Sequence, residues 1–194
     1  MKKILTTHLI TKRRFQRLIF AVVAVAMLVF NPALKLEAQT TLNTTAVPGF
    51  LNNNGSGTAT FNFQNTNPYA VIITDIEGIV GTTGLTSADV WIKPIPINGL
   101  PGAISVANGW TLVATGTFAG VANTTTLVTQ PMLTGLNINI PPGVTYGMAV
   151  SAYSGTAGRQ RYHTMVAPNI PLTTVAGGGC SILMGTNMSY AGGA

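Results

Sequence analysis

The sequence predicts an all-β protein: an antiparallel, jelly-roll-like β-sandwich of about nine or ten strands, following an N-terminal signal peptide. Three observations predict it. The 156 residues after Ala38 contain 25 Thr, 14 Asn and 22 Gly, which favour strands and turns over helices. Apolar side chains recur there with a period of two, and no useful window reads as an amphipathic helix. Turn-forming clusters interrupt those runs about every ten residues, the rhythm of a sandwich or barrel.

The amino-terminal element comes first. Leu18 to Phe30 is an apolar run of 13 residues closed by Asn31 and Pro32. As a helix it would reach about 20 Å, short of a hydrocarbon core of about 30 Å. Lys2, Lys3, Lys12, Arg13, Arg14 and Arg17 precede it with no acid among them. A basic region, a short apolar region and a small residue at Ala38 describe a signal peptide over 1–38, with cleavage before Gln39. The alternative is an uncleaved anchor, which the length of the run disfavours.

Cleavage changes the electrostatics. The full chain carries +6, but seven of its ten Lys and Arg lie in 1–38. The domain expected over 39–194 keeps Lys93, Arg159 and Arg161 against Asp75, Glu77 and Asp89. The high pI therefore belongs to the leader and is no nucleic-acid footprint. Cys180 is the only cysteine, so stability has to come from a packed core rather than an internal disulfide.

Strands follow in order. In "TATFNF", Ala59, Phe61 and Phe63 share one face, with Thr60 and Asn62 on the other. In "WTLVATGTF", Trp110, Leu112 and Ala114 alternate with Thr111, Val113 and Thr115. "LNINI" aligns Leu136, Ile138 and Ile140, and "VTYGMAV" aligns Val144, Tyr146, Met148 and Val150. Turns are expected at "NNNGSG" (52–57), "NTNP" (65–68), "GTTG" (81–84), "NGLPG" (98–102), "IPPG" (140–143) and "GTAG" (155–158). Pro94 and Pro96 confine "WIKPIPI" to a sheet edge or a strand end. Cys180 to Tyr190 reads as a final strand. The sequence reads either as a small released protein or as the opening part of a longer surface protein.

Little in this inventory carries chemistry. Asp75 and Glu77 in "TDIEG" are two apart and would share a strand face about 6–7 Å apart. They would serve as a solvated strand end, a weak calcium site, or least of all a catalytic pair. "RQRYH" gathers Arg159, Arg161 and His163 on one expected face and Gln160 and Tyr162 on the other. That cluster reads as an Arg-fork site for acidic glycans or carboxylates, or as a charged edge strand that discourages aggregation. Trp110 is expected in the core and Trp91, beside Lys93 on an edge strand, exposed. Candidate ligand contacts are thus Trp91, Arg159, Arg161, Tyr162 and His163. His163 is the only histidine after the leader, and no G-x-S-x-G elbow or zinc ligand set accompanies it. "GGG" (177–179) has no phosphate-loop context. Four N-x-S/T sequons, at Asn43, Asn54, Asn123 and Asn187, matter only in a glycosylating host. No catalytic residue, cofactor or resident metal is expected.

The stretches "GTATFNFQNTNPYAVIITDI", "NGWTLVATGTF" and "INIPPGVTYGMAVSAY" resemble a recurring N-terminal β-sandwich module of bacterial secreted and cell-surface proteins, of the kind found in type IX secretion cargo. The resemblance runs from about Thr40 to Tyr190. It implies an extracellular, non-enzymatic structural or adhesive role. The alternatives are a carbohydrate-binding module and a subunit that assembles by strand exchange. Expected partners are extracellular glycans or other surface proteins, and the export machinery through the leader. Nucleic acid and a lasting membrane span are not expected.

Overall fold

The computed structural model describes residues 39–46, 49–52, 57–123, 125–126, 128–155, 157–165 and 172–185. The expected signal peptide, residues 53–56 of the first turn cluster, Asn54, Asn187 and the end of the last expected strand (186–190) lie outside the described residues. The chain divides into Met1–Gln39 and Thr40–Ala194, and every described strand belongs to the second unit.

Thirteen strands appear among the described residues. The larger sheet has the order β12 (Leu172–Gly177), β13 (Cys180–Gly185), β2 (Thr58–Asn65), β9 (Thr145–Ser154), β5 (Gly84–Lys93) and β6 (Thr111–Gly120). A two-residue β10 (Ala157–Gly158) adds to β9. The smaller sheet runs β1 (Gly49–Asn52), β11 (Gln160–Met165), β4 (Ile76–Val80) and β7 (Gln130–Leu133). A ribbon pairs β3 (Val71–Ile73) with β8 (Ile138–Ile140). All pairings are antiparallel. The short β3, β8 and β10 account for the excess over the expected number of strands. Described helical structure is confined to two three-residue 3-10 turns.

Both sheets bury one face in a common core, which makes the fold a sandwich. Phe63, Ala88, Val90, Met148, Val150 and Ala152 come from the larger sheet, Val80, Met132 and Leu133 from the smaller, and Ile138 and Ile140 from the ribbon. The chain changes sheet at most steps, as in a jelly roll. Three consecutive pairs, β5–β6, β9–β10 and β12–β13, stay within the larger sheet. The β12–β13 pair turns on Gly178 and Gly179, both at positive φ, the backbone that a two-residue hairpin demands.

Alternation holds in β8 and β9, where Ile138, Ile140, Met148 and Val150 point into the core. Elsewhere two bulges shift its phase. Val90 pairs with Ala114 but Trp91 with Leu112, so Val113 is an extra residue and Ala114 and Leu112 face opposite ways. The expected common face of Trp110, Leu112 and Ala114 is therefore corrected: Ala114 packs on the core and Leu112 is exposed. Likewise Ile76 pairs with Leu133 and Glu77 with Pro131, and consecutive Met132 and Leu133 are both buried.

In β2 the polar face is buried as well as the apolar one. Thr58, Thr60 and Asn62 are each under 10% exposed; Asn62 bonds Ile97 of the 94–110 connection, which folds over the outside of the larger sheet there. Ile97 and Trp110 from that connection and Ala149 from β9 form a second core, with Trp91, Ile104 and Leu183 against it.

Candidate functional site

The expected ligand contacts lie on β5 and beside or within β11, which belong to different sheets. Trp91 sits in β5 between β9 and β6, so it is not on an edge strand; Pro94 and Pro96 end the strand instead. Its side chain faces away from the main core and is half-buried against Ile97, Trp110 and Ala149. Trp110 is buried as expected, at 1% exposure, though in this outer cluster. The Lys93 ammonium lies over its ring, 5.9 Å from the centroid, a cation–π arrangement.

β11 lies between β1 and β4, which corrects the reading of "RQRYH" as a protected edge. Both flanks of this strand are paired. The backbone of Arg159 is fixed by its N–H donating to the Ala152 carbonyl (2.7 Å) and its carbonyl accepting from the Gly81 N–H (2.9 Å). Its Nε is buried with no hydrogen-bond partner. The Arg161 guanidinium lies against Gly81, where any Cβ would come within 2.5 Å of its Nε. Gln160, opposite Val80, turns inward over Gly78 beside Met132. Tyr162 and His163 pair through their backbones with Asn52 and Leu51; their side chains lie outside the described residues. Trp91 points out from the larger sheet, on the side away from the smaller sheet, so it does not share a surface with Arg159 and Arg161.

Asp75 precedes β4 and accepts a long hydrogen bond from the Gly135 N–H (3.4 Å). Glu77 lies beyond the bulge and accepts from the Thr129 hydroxyl (2.6 Å). The two carboxylates are thus tied to opposite ends of the segment carrying β7. Among the described residues, no three His, Cys, Asp or Glu gather closely enough to hold a metal ion. Cys180 is half-buried, with the Asn67 amide 3.7 Å from its sulfur. Burial pushes its thiol pKa up, and the weaker effect of the Asn67 bond opposes that, so the thiolate is scarce near neutrality.

The outer face of the larger sheet carries a row of polar side chains. Thr58, Ser151, Asp89 and Thr115 are successive cross-strand partners on β2, β9, β5 and β6. The Thr58 and Ser151 hydroxyls bond at 2.8 Å. In the adjacent row Tyr153, Ser87 and Thr117 are partners. The Tyr153 hydroxyl donates to Asp89 Oδ2 at 3.0 Å, and burial, followed by that bond and the Asp89 charge, raises the phenol pKa. On the other side comes the row of Ala149, Trp91 and Leu112.

Against protein-family models the chain finds no match, and none among curated proteins.

Asp89, Tyr153 and Thr115 were not singled out in the sequence as a group. Asp89 and Tyr153 are 64 positions apart, and only the register of three strands unites them. A visible hint was "SADVW" (87–91), where Ser87, Asp89 and Trp91 share a strand face.

Proposed function

We propose that this chain is an exported, non-enzymatic β-sandwich that acts outside the cell as a structural or adhesive module. The dispersal of its ionisable groups carries this reading. Asp75, Glu77 and Asp89 each bond a different neutral partner, and Lys93 lies over an indole. Acid–base chemistry by paired carboxylates needs two of them converging on one site, and no two of these three share a partner. The composition supports export: a basic, apolar leader precedes a charge-balanced domain coated with Thr, Asn and Ser. The resemblance to modules of type IX secretion cargo supports the same location.

Fractionation of cells producing the full chain tests this. The expected product is found outside the cell with its amino terminus at Gln39, and cells lacking it attach more weakly to surfaces. An intact amino terminus retained in membranes, or a hydrolase or transferase turnover lost in His163→Ala or Asp75→Ala, would overturn the proposal.

A further inference from the structure

We infer that the outer face of the larger sheet, across β9, β5 and β6, is a binding platform for a neutral polysaccharide chain. The inference deepens the adhesive reading by giving it a ligand class and a place.

The face is divided. Over β2 and the near ends of β9 and β5 it is covered by Ile97 and Trp110 of the 94–110 connection. Beyond Trp91 the side chains of β6 open to solvent: Thr115 and Thr117 are exposed, with Ser87, Asp89 and Tyr153 partly buried beside them. Neighbouring strands lie about 4.8 Å apart, and the rows from Leu112 to Thr117 cover roughly 13–17 Å along the strand. This strip is bounded by an apolar step, where Trp91 faces Leu112 across the ladder and Leu112 is 43% exposed.

Those features match a sugar chain. The indole of Trp91 and the Leu112 side chain offer apolar surface to the C–H face of a pyranose ring. The next row offers a carboxylate. Tyr153 occupies Asp89 Oδ2, but an ionised carboxylate accepts about four hydrogen bonds, so Asp89 retains capacity for ligand hydroxyls. Such charge-assisted bonds are the strong ones. The Thr115, Thr117 and Ser87 hydroxyls both donate and accept, as a polyol requires. All of these side chains stand on paired strands, so little ordering accompanies binding.

Charge selects a neutral chain. Lys93 is four residues from Asp89 on the same strand, about 13 Å away, and its ammonium faces the Trp110 ring. That exceeds the screening length of about 8 Å at physiological salt. The side-chain partner of Asp89 is the neutral Tyr153 hydroxyl rather than a cation, so an anionic polymer would meet its negative charge.

The test titrates the purified chain with neutral hexasaccharides of the cello, xylo, manno and galacto series, and with polygalacturonate, following heat and tryptophan emission. The expected result is binding to at least one neutral series, weakened about tenfold or more by Asp89→Asn. The exposed Thr115→Ala should weaken it without loss of folding, and Asp75→Asn should leave it unchanged. No binding to any neutral series, preference for polygalacturonate, or binding indifferent to both Asp89→Asn and Thr115→Ala would overturn the inference. So would dimerisation abolished by Thr115→Lys, which would assign the face to a second copy. Export and attachment are measured separately, so failure here leaves the proposed location standing.

Discussion

Asn62 holds Ile97 by two hydrogen bonds: its amide donates to the Ile97 carbonyl at 3.1 Å, and its Oδ1 accepts from the Ile97 N–H at 2.7 Å. A side chain here does what a neighbouring strand would do. It fixes the 94–110 connection over the outer face of the larger sheet, and the Gly147 N–H adds a bond to the Ile95 carbonyl at 3.0 Å.

Replacing Asn62 by Ala should cost about 2–4 kcal/mol, since it strands two buried backbone groups of Ile97. It should also loosen the cover over Trp110. Urea unfolding should show the lower stability, and tryptophan emission of the folded variant should move to longer wavelength.

A methyl group at Gly147 would lie 2.8 Å from Ile97 Cγ1 and 3.2 Å from the Ile95 carbonyl. Gly147→Ala should destabilise the chain by about 1–3 kcal/mol. Because it acts on the segment that Asn62 holds, its effect in an Asn62→Ala background should be smaller than in the parent. A double-mutant cycle by denaturant melts reads this coupling, and strict additivity would contradict the account.

Asn65 joins three parts of the fold from a fully buried position. Its amide donates to the carbonyls of Tyr69, Ile140 and Pro141, and its Oδ1 accepts from the Asn67 N–H and amide. Asn65→Ala should cost at least about 3 kcal/mol by leaving several of these groups unpaired. Asn65→Asp, which turns an acceptor toward three carbonyls, should be worse. Thermal melts rank the two.

The Tyr153 phenol has its pKa raised above the ordinary 10.0, first by burial and then by Asp89. In the folded state it keeps its proton after the unfolded chain has released it. Its contribution to stability is therefore complete below about pH 10 and lost as pH rises through the folded value. Asp89→Asn should lower the folded pKa part-way, leaving the effect of burial. Tyrosinate absorbance, differenced against Tyr153→Phe, measures the shift.

The fold class was legible because period two survives wherever a strand is regular. Ile138, Ile140, Met148 and Val150 could be assigned to the core from their spacing, and Pro141, Pro142 and Gly143 to a turn. A bulge leaves no such mark. One extra residue, Val113, reverses the faces of Leu112 and Ala114, yet the sequence still alternates smoothly across it. The buried polar face of β2 was hidden for another reason, since its cover comes from a segment more than 30 residues away. Arg159 and Arg161 drew attention as rare charges, but β11 turned out to be an inner strand of one sheet and Trp91 to lie outward on the other. Asp89 acquired its setting only through cross-strand register.

We propose that this sandwich works through its surface rather than through a reactive centre. Surface attachment by cells carrying Asp75→Asn with Glu77→Gln measures it most directly. Neither residue belongs to the proposed platform, and both variants preserve hydrogen-bonding shape. The account predicts attachment equal to that of the parent. Attachment abolished in this double variant, with the protein still folded and exported, would contradict it.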